Sequence, residues 1–211
     1  MIRLSSLSFS LSLQKLIDYE PSSATRRAKL MTKTRVIGVH NADNHRMCLS
    51  SCSLMARVFV YGTLKKGQPN FYRMVDAANG KAELLASACT TQRYPLVIAG
   101  EHNIPFLLDL PGQGYRVHGE IYEVDDKMLR FLDDFEDVPA MYQRTRVTLE
   151  VKEWAGKTAE GEERPAAGSA TEAFLYSTTT YRPDWPSLTR YESYDAHGAH
   201  GLRYATRSER D

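Results

Sequence analysis

From Arg57 onward the chain is a succession of short β-branched and aromatic runs, each stopped by a turn signal, which limits it to folds built from many short strands. Val58-Phe59-Val60-Tyr61 reads as a buried strand that stops at Gly62. The stretches 83–91 and 95–99 read as the next two strands. Residues 103–105 form a turn, Phe106-Leu107-Leu108 opens another apolar strand, and Gln113-Gly114 marks the turn after it. The stretch 117–124 alternates in the strand manner, with Gly119 as a bulge or a point of close approach. Residues 142–151 alternate again. Residues 155–171, rich in Gly, Ala, Glu and Pro, read as a flexible hairpin loop leading to the last strand, 173–177.

Helical signals are few. Pro69-Asn70 starts a short helix through Phe71, Met74 and Val75 that stops before Asn79-Gly80. Asp125-Asp126 caps a second, whose apolar stripe is Met128, Leu129, Leu132 and Phe135. Val138-Pro139 is expected to end it, because proline cannot extend a helix and disfavours helical geometry in the residue before it. Past Pro183 the tail lacks long periodic runs but carries Trp185, Tyr191, Tyr194 and Tyr204, so it is expected to pack on the body as ordered coil. Strands do not alternate with long helices, which argues against a doubly wound parallel sheet. The expected class is α+β, with a strongly curved sheet or small β-barrel.

The first 54 residues differ from the remainder. They are rich in Ser and Arg, follow no sustained period, and hold eight basic against three acidic residues, a net +5. The whole chain carries +1, which leaves −4 for residues 55–211. The expected organisation is a disordered extension, 1–54, ahead of one domain, 55–211. Residues 1–16 also fit a Ser-rich basic amphipathic helix of the mitochondrial-presequence kind, a second reading of the same segment. Met55, directly before the first strand, is an alternative start.

Composition narrows the partners. A net charge of +1 is not the basic excess that grips nucleic acid. No apolar run approaches the ~18 residues of a membrane-spanning helix. The cysteines, Cys48, Cys52 and Cys89, are too few for a disulfide scaffold and fit a reducing compartment such as the cytosol. Cys48 and Cys52 lack the second Cys or His pair that a zinc site needs, and Cys89 reads as a buried structural thiol. No heptad or long apolar edge stands out, so a monomer is expected.

Two constellations carry chemistry. Tyr61-Gly62-Thr63-Leu64 follows a buried strand, and Gly62 allows a sharp turn and a close ligand approach. Consecutive N–H groups in such a turn can form an anion-binding nest. Gly62 and Gly67 mimic the spacing of a phosphate-binding loop, but Gln68 and Pro69 stand where that motif needs Lys and Ser or Thr, so nucleotide binding is excluded there. The second constellation is Asp133-Asp134-Phe135-Glu136 at a helix C-terminus, where carboxylates oppose the helix dipole. Phe135 offers an apolar wall that can tune a base, but spacing does not choose among the acids. His102, His118, His197 and His200 are scattered, and no G-x-S-x-G elbow is present.

The run Val58-Phe-Val-Tyr-Gly-Thr-Leu-Lys-Lys-Gly-Gln-Pro-Asn70 resembles the opening signature of the γ-glutamyl cyclotransferase family. Tyr94-Pro-Leu-Val-Ile-Ala-Gly-Glu-His-Asn-Ile-Pro105, Met128-Leu-Arg-Phe-Leu-Asp-Asp-Phe-Glu136, Met141-Tyr-Gln-Arg-Thr145 and His200-Gly-Leu-Arg-Tyr204 extend the resemblance, toward the branch that acts on γ-glutamyl amines. It implies a small β-barrel with flanking helices, a substrate site at Tyr61, Gly62, Thr63 and Leu64, and Glu136 as the acid/base. It also implies γ-glutamyl-ε-lysine, the remnant of transglutaminase crosslinks, as substrate, with 5-oxoproline and free lysine as products. Tyr142 and Tyr176 are candidate pocket hydroxyls, and no metal or organic cofactor is required. The alternatives are the same reaction on γ-glutamyl amino acids, or a non-catalytic binding module on the same fold.

Overall fold

A computed structural model describes residues 55–157, 163–206 and 209. The expectations for residues 1–54, Cys48 and Cys52 among them, lie outside the described residues. Five strands close a barrel in the order β1-β5-β2-β6-β7. They are β1 (Ala56–Val60), β2 (Ala82–Tyr94), β5 (Tyr115–Val124), β6 (Gln143–Trp154) and β7 (Ala170–Ser177). Neighbours pair antiparallel except at the closure, where β1 runs parallel to β7 with Val58 opposite Phe174 and Phe59 opposite Leu175. The long strand β2 shifts register between Leu84 and Ala86 and again between Cys89 and Arg93, which supplies the bend that closure requires. The inward set of Phe59, Val117, Ile121, Leu149, Val151 and Leu175 is fully buried and fills the barrel. The curved-sheet or barrel expectation holds.

Gly119 marks a close approach. A Cβ there would strike the Val60 carbonyl and come within 2.6 Å of the Phe59 ring. Glycine at this point lets β1 and its phenylalanine lie tight against β5.

A second sheet of three strands, β4-β3-β8, combines β3 (Leu96–Ala99), β4 (Ile104–Leu107) and β8 (Arg190–Tyr191). Of the expected turn at 103–105 only Asn103 turns, at φ 52°, and Ile104 and Pro105 already belong to β4. Pro105 is tolerated because β4 is an edge strand. The tail packs as its aromatics suggest, with Trp185, Tyr194 and Tyr204 buried. It also forms a 3₁₀ turn, Trp185–Ser187, and the two-residue β8, too short to leave a periodic trace in sequence.

Both expected helices form. The first, α1 (Tyr72–Val75), is a single turn that starts past Pro69-Asn70. The second, α2 (Asp126–Phe135), is capped by the Asp125 side chain, which accepts from the Met128 N–H at 2.8 Å, and buries Met128 and Leu132. It ends before Val138-Pro139 is reached. Glu136 is its C-cap, and Asp137 leaves the helix in the left-handed region at φ 52°. No helix among the described residues is long and apolar enough to cross a membrane.

Gly119→Ala is expected to cost ~1–3 kcal/mol, because Phe59 has no room to yield inside a closed barrel. Urea unfolding measures it, and an unchanged midpoint would show that the barrel accommodates the methyl group.

Candidate active site

The site forms where the parallel pair ends. Strands β1 and β7 point the same way, so Tyr61, one residue past β1, lies beside the C-terminal end of β7. The Tyr61 hydroxyl donates to the Tyr176 carbonyl at 2.9 Å, and both residues are buried. Tyr176 sends its own hydroxyl the other way, to Asp133 Oδ1 at 2.8 Å. Asp133 Oδ2 accepts from Arg144 Nη1 of β6 at 2.8 Å. The C-terminal turn of α2 is thereby pinned to β6 and β7.

This arrangement separates the four residues of the acidic cluster. Asp133 spends both oxygens on structure, and Asp134 is exposed. Glu136 is half-buried, its N–H bonded to the Leu132 carbonyl at 2.9 Å. The Val138 N–H bonds back to the Asp133 carbonyl and the Met141 N–H to the Asp137 carbonyl, folding the chain so that Tyr142 follows closely. Tyr142 is buried and stacks on Phe106, with ring centroids 6.0 Å apart.

The charge of Glu136 acts on three buried phenols. Burial raises the pKa of Tyr61 well above the ordinary tyrosine value, and the charge of Glu136 raises it further. Tyr142 is raised by burial first, then by Tyr61, Glu136 and Tyr204. Tyr176 is raised by burial, by its bond to Asp133 and by the charges of Asp133 and Glu136, with Arg144 opposing. All three phenols therefore stay protonated at neutral pH and can act as donors. The sequence reading groups Tyr61, Tyr142, Tyr176 and Glu136, and here all three phenols feel the Glu136 charge.

The turn at 61–64 leads directly from this group. Leu64 is buried, and Gly62 and Thr63 are half-buried. Gly62 does not occupy the left-handed region. A Cβ there would instead stand 3.1 Å from the Pro105 ring, so close packing against β4 is what favours glycine. Among the described residues, the hydrogen bonds of this turn use the Gly62 and Thr63 carbonyls, and none uses the N–H groups of Gly62, Thr63 or Leu64. Three consecutive donors remain for an anion.

Two residues join the site without having been assigned a role from sequence. Asn70 is buried; its N–H bonds to the Thr63 carbonyl at 2.9 Å, and its Nδ2 lies 2.9 Å from Thr63 Oγ1 and 3.0 Å from the Tyr204 hydroxyl. Both residues stand inside the recognised stretches, but only folding joins them. Lys65 Nζ donates to the Tyr194 carbonyl at 2.7 Å, and Gln68 Oε1 accepts from the Ala196 N–H at 2.8 Å, so the tail clasps the turn along its length. No group of three His, Cys, Asp or Glu among the described residues could hold a metal ion. Cys89 is buried and free, within 3.1 Å of Arg116 Nη2.

The family model for "Gamma-glutamyl cyclotransferase, AIG2-like" matches residues 58–196. The chain belongs to that family. The γ-glutamylaminecyclotransferase of Mus musculus is 56% identical over 156 residues, covering 74% of this chain and all of its own. That of Homo sapiens is 54% identical over the same shares. The crystal structure of an AIG2-like protein from Mus musculus superposes with a TM-score of 0.67 at 54% identity, over 74% of this chain and 99% of that one.

Within this cyclotransferase fold, Asp133 anchors the helix, and the Glu136 charge acts on the phenols. Asp133→Asn is expected to lower stability by ~1–2 kcal/mol, since Arg144 and Tyr176 lose a charged acceptor, while turnover stays within a few-fold. Thermal unfolding together with an activity assay checks both halves. A deep loss of turnover at full stability would put Asp133 in the chemistry.

Proposed function

We propose that the protein is a γ-glutamylamine cyclotransferase that converts γ-glutamyl-ε-lysine to 5-oxoproline and free lysine, clearing the remnants of transglutaminase crosslinks. The observation that carries this reading is the Glu136 carboxylate set among Tyr61, Tyr142 and Tyr176, beside a turn with three consecutive available N–H groups. The names of the mouse and human relatives support the choice of γ-glutamyl amines.

The substrate carries its own nucleophile. Its α-amino group attacks its γ-carbonyl and closes a five-membered lactam. Holding the glutamyl arm folded makes the step intramolecular, and well-oriented pairs reach effective molarities of ~10⁵–10⁸ M. The amine must first be neutral, and an α-amino group has a pKa of roughly 8. Glu136 accepts that proton and returns it to the departing ε-amine. The N–H groups of Gly62, Thr63 and Leu64 and the phenols of Tyr142 and Tyr176 bind the substrate and the charge that develops on the carbonyl oxygen. The atoms balance without water, metal or cofactor: one amide bond breaks, one forms, and the two protons that the α-ammonium loses in becoming a lactam N–H are the two that the ε-nitrogen gains in leaving as an ammonium, relayed in turn by Glu136.

In this reading the catalytic domain spans residues 55–211, and the enzyme is a monomer of the cytosol. The test incubates the full chain with γ-glutamyl-ε-lysine and analyses the products. Wild type is expected to release lysine and 5-oxoproline, and Glu136→Gln to keep its fold and lose at least ~10²-fold in turnover. Release of glutamate with lysine would mean hydrolysis and end the cyclisation mechanism. Near-normal turnover by Glu136→Gln would remove Glu136 as the base.

A further inference from the structure

Among the described residues the core encloses four polar side chains, Asn70, Thr90, Ser177 and Thr178. Three are satisfied. Asn70 Nδ2 lies 2.9 and 3.0 Å from two hydroxyls. Thr90 Oγ1 donates to the Gln92 carbonyl at 2.6 Å and accepts from the Val117 N–H at 2.9 Å. Thr178 Oγ1 donates to the Met141 carbonyl at 2.7 Å. The Ser177 hydroxyl is buried with no hydrogen-bond partner, in a residue only 1% exposed. A dry, unpaired hydroxyl costs stability that an alanine in its place would not.

The place of Ser177 in the barrel decides what can reach it. Side chains alternate along β7, and Ala173 and Leu175 belong to the interior cluster, so Ser177, the last residue of the strand, takes the same face. The opposite face carries Phe174, under the Arg144 guanidinium, and Tyr176, bonded to Asp133. Leu175 pairs with Phe59 across the parallel closure. Two residues beyond them come Ser177 and Tyr61, and the bond from the Tyr61 hydroxyl to the Tyr176 carbonyl keeps the two chain ends together. Ser177 thus stands inside the barrel at the rim where the 61–64 turn begins. On the neighbouring β6 the interior face runs from buried at Leu149, through half-buried at Val147, to exposed at Thr145 and Gln143, which pair with Leu175 and Ser177. The barrel therefore opens toward this end, with Ser177 on the inner wall of the opening.

We infer that Ser177 is a substrate-binding residue whose hydroxyl completes its hydrogen bonding on the glutamyl group of the substrate. The inference rests on the cyclotransferase reading and adds to it a contact from the barrel interior. The departing amine has to leave, so its arm extends toward solvent, and the glutamyl arm that closes into a ring is the end enclosed at depth. A hydroxyl both donates and accepts, so it suits an arm that carries amino, carboxylate and carbonyl groups. Because this hydroxyl is already dry, binding strips no water from it, and the free enzyme bears the cost in advance.

The experiment compares the full-length wild type with Ser177→Ala and Ser177→Cys. It reads kcat and KM for γ-glutamyl-ε-lysine, inhibition by 5-oxoproline, and the melting temperature of the free enzyme. 5-Oxoproline is the cyclised glutamyl group without the lysine. Ser177→Ala removes a bond made only with ligand, so KM and the 5-oxoproline inhibition constant are expected to rise about 10-fold, with kcat within about 3-fold. The melting temperature is expected to equal that of wild type or exceed it, since no bond of the free enzyme is lost. Ser177→Cys refills the space with a weak donor and is expected to show the same losses.

Unchanged KM and 5-oxoproline inhibition in Ser177→Ala overturn the assignment. So does a drop in melting temperature alongside the loss, since the hydroxyl would then be holding the fold. Normal activity in Ser177→Cys beside a defective Ser177→Ala overturns it too, because the missing feature would be volume. A rise in KM with unchanged inhibition by 5-oxoproline overturns the choice of the glutamyl end. In each of these cases wild type still forms 5-oxoproline; if it forms none, the functional reading fails and takes this assignment with it.

Discussion

The parallel pairing of β1 with β7 is the constraint on which the site depends. It closes the barrel, and it aims two strands the same way so that their C-terminal ends share one rim. Had the closing pair been antiparallel, Tyr61 and Tyr176 would lie at opposite ends of the barrel. Instead Tyr61 donates to the Tyr176 carbonyl, and Tyr176 reaches on to Asp133. The interior packing of Phe59 against Gly119 holds β1 at the depth where this contact forms. A core-packing decision thus sets the geometry of a polar site one residue beyond the strand.

From that rim a second layer follows. Arg144 is held over the Phe174 ring, 4.8 Å from its centroid, and bonds to Asp133. Cation, ring and carboxylate together fix the last turn of α2, and the left-handed Asp137 then sends the chain back toward Tyr142. Glu136 sits at the joint between these two fixed pieces. Its N–H is held by the backbone bond to the Leu132 carbonyl, and the neighbouring Asp133 supplies the ion pair that fixes the turn.

Much of this was legible from the residues. Strands with clear alternation or β-branched runs, such as Val58 to Tyr61 and the stretch before Val124, appear where their pattern puts them, because a half-buried sheet imposes a period of two. The stripe of Met128 and Leu132 gives α2 by the same logic. What sequence did not carry is whatever depends on distance through space. β8 is two residues long and exists because β3 offers it an edge. Pro105 reads as a turn residue until the edge position of β4 is known. The end of α2 is set by Asp137 rather than by the proline beyond it. Spacing could not separate Asp133 from Glu136, because the difference lies in Arg144 and Tyr176, eleven and more than forty residues away. Resemblance selected Glu136, and the structure shows Asp133 committed to Arg144 and Tyr176.

In the proposed mechanism, where Glu136 is the base, the choice of phenols around it has a chemical logic of its own. Tyr61, Tyr142 and Tyr176 all have their pKa raised, first by burial and then by carboxylate or phenol neighbours, so they remain neutral donors across the working pH range. A neutral phenol can donate to a carboxylate or to an oxygen that gains charge, but it cannot take a proton from an ammonium group. The wall therefore does not compete with Glu136 for the proton that must leave the substrate amine. Cationic side chains in those places would favour the same developing charge, yet they would also repel the protonated amine on entry and attract the glutamate away from it. Neutral donors avoid both effects. The anionic end of the substrate must then be met by something other than a side-chain cation on this wall, and backbone N–H groups can do that without placing a charge beside the base.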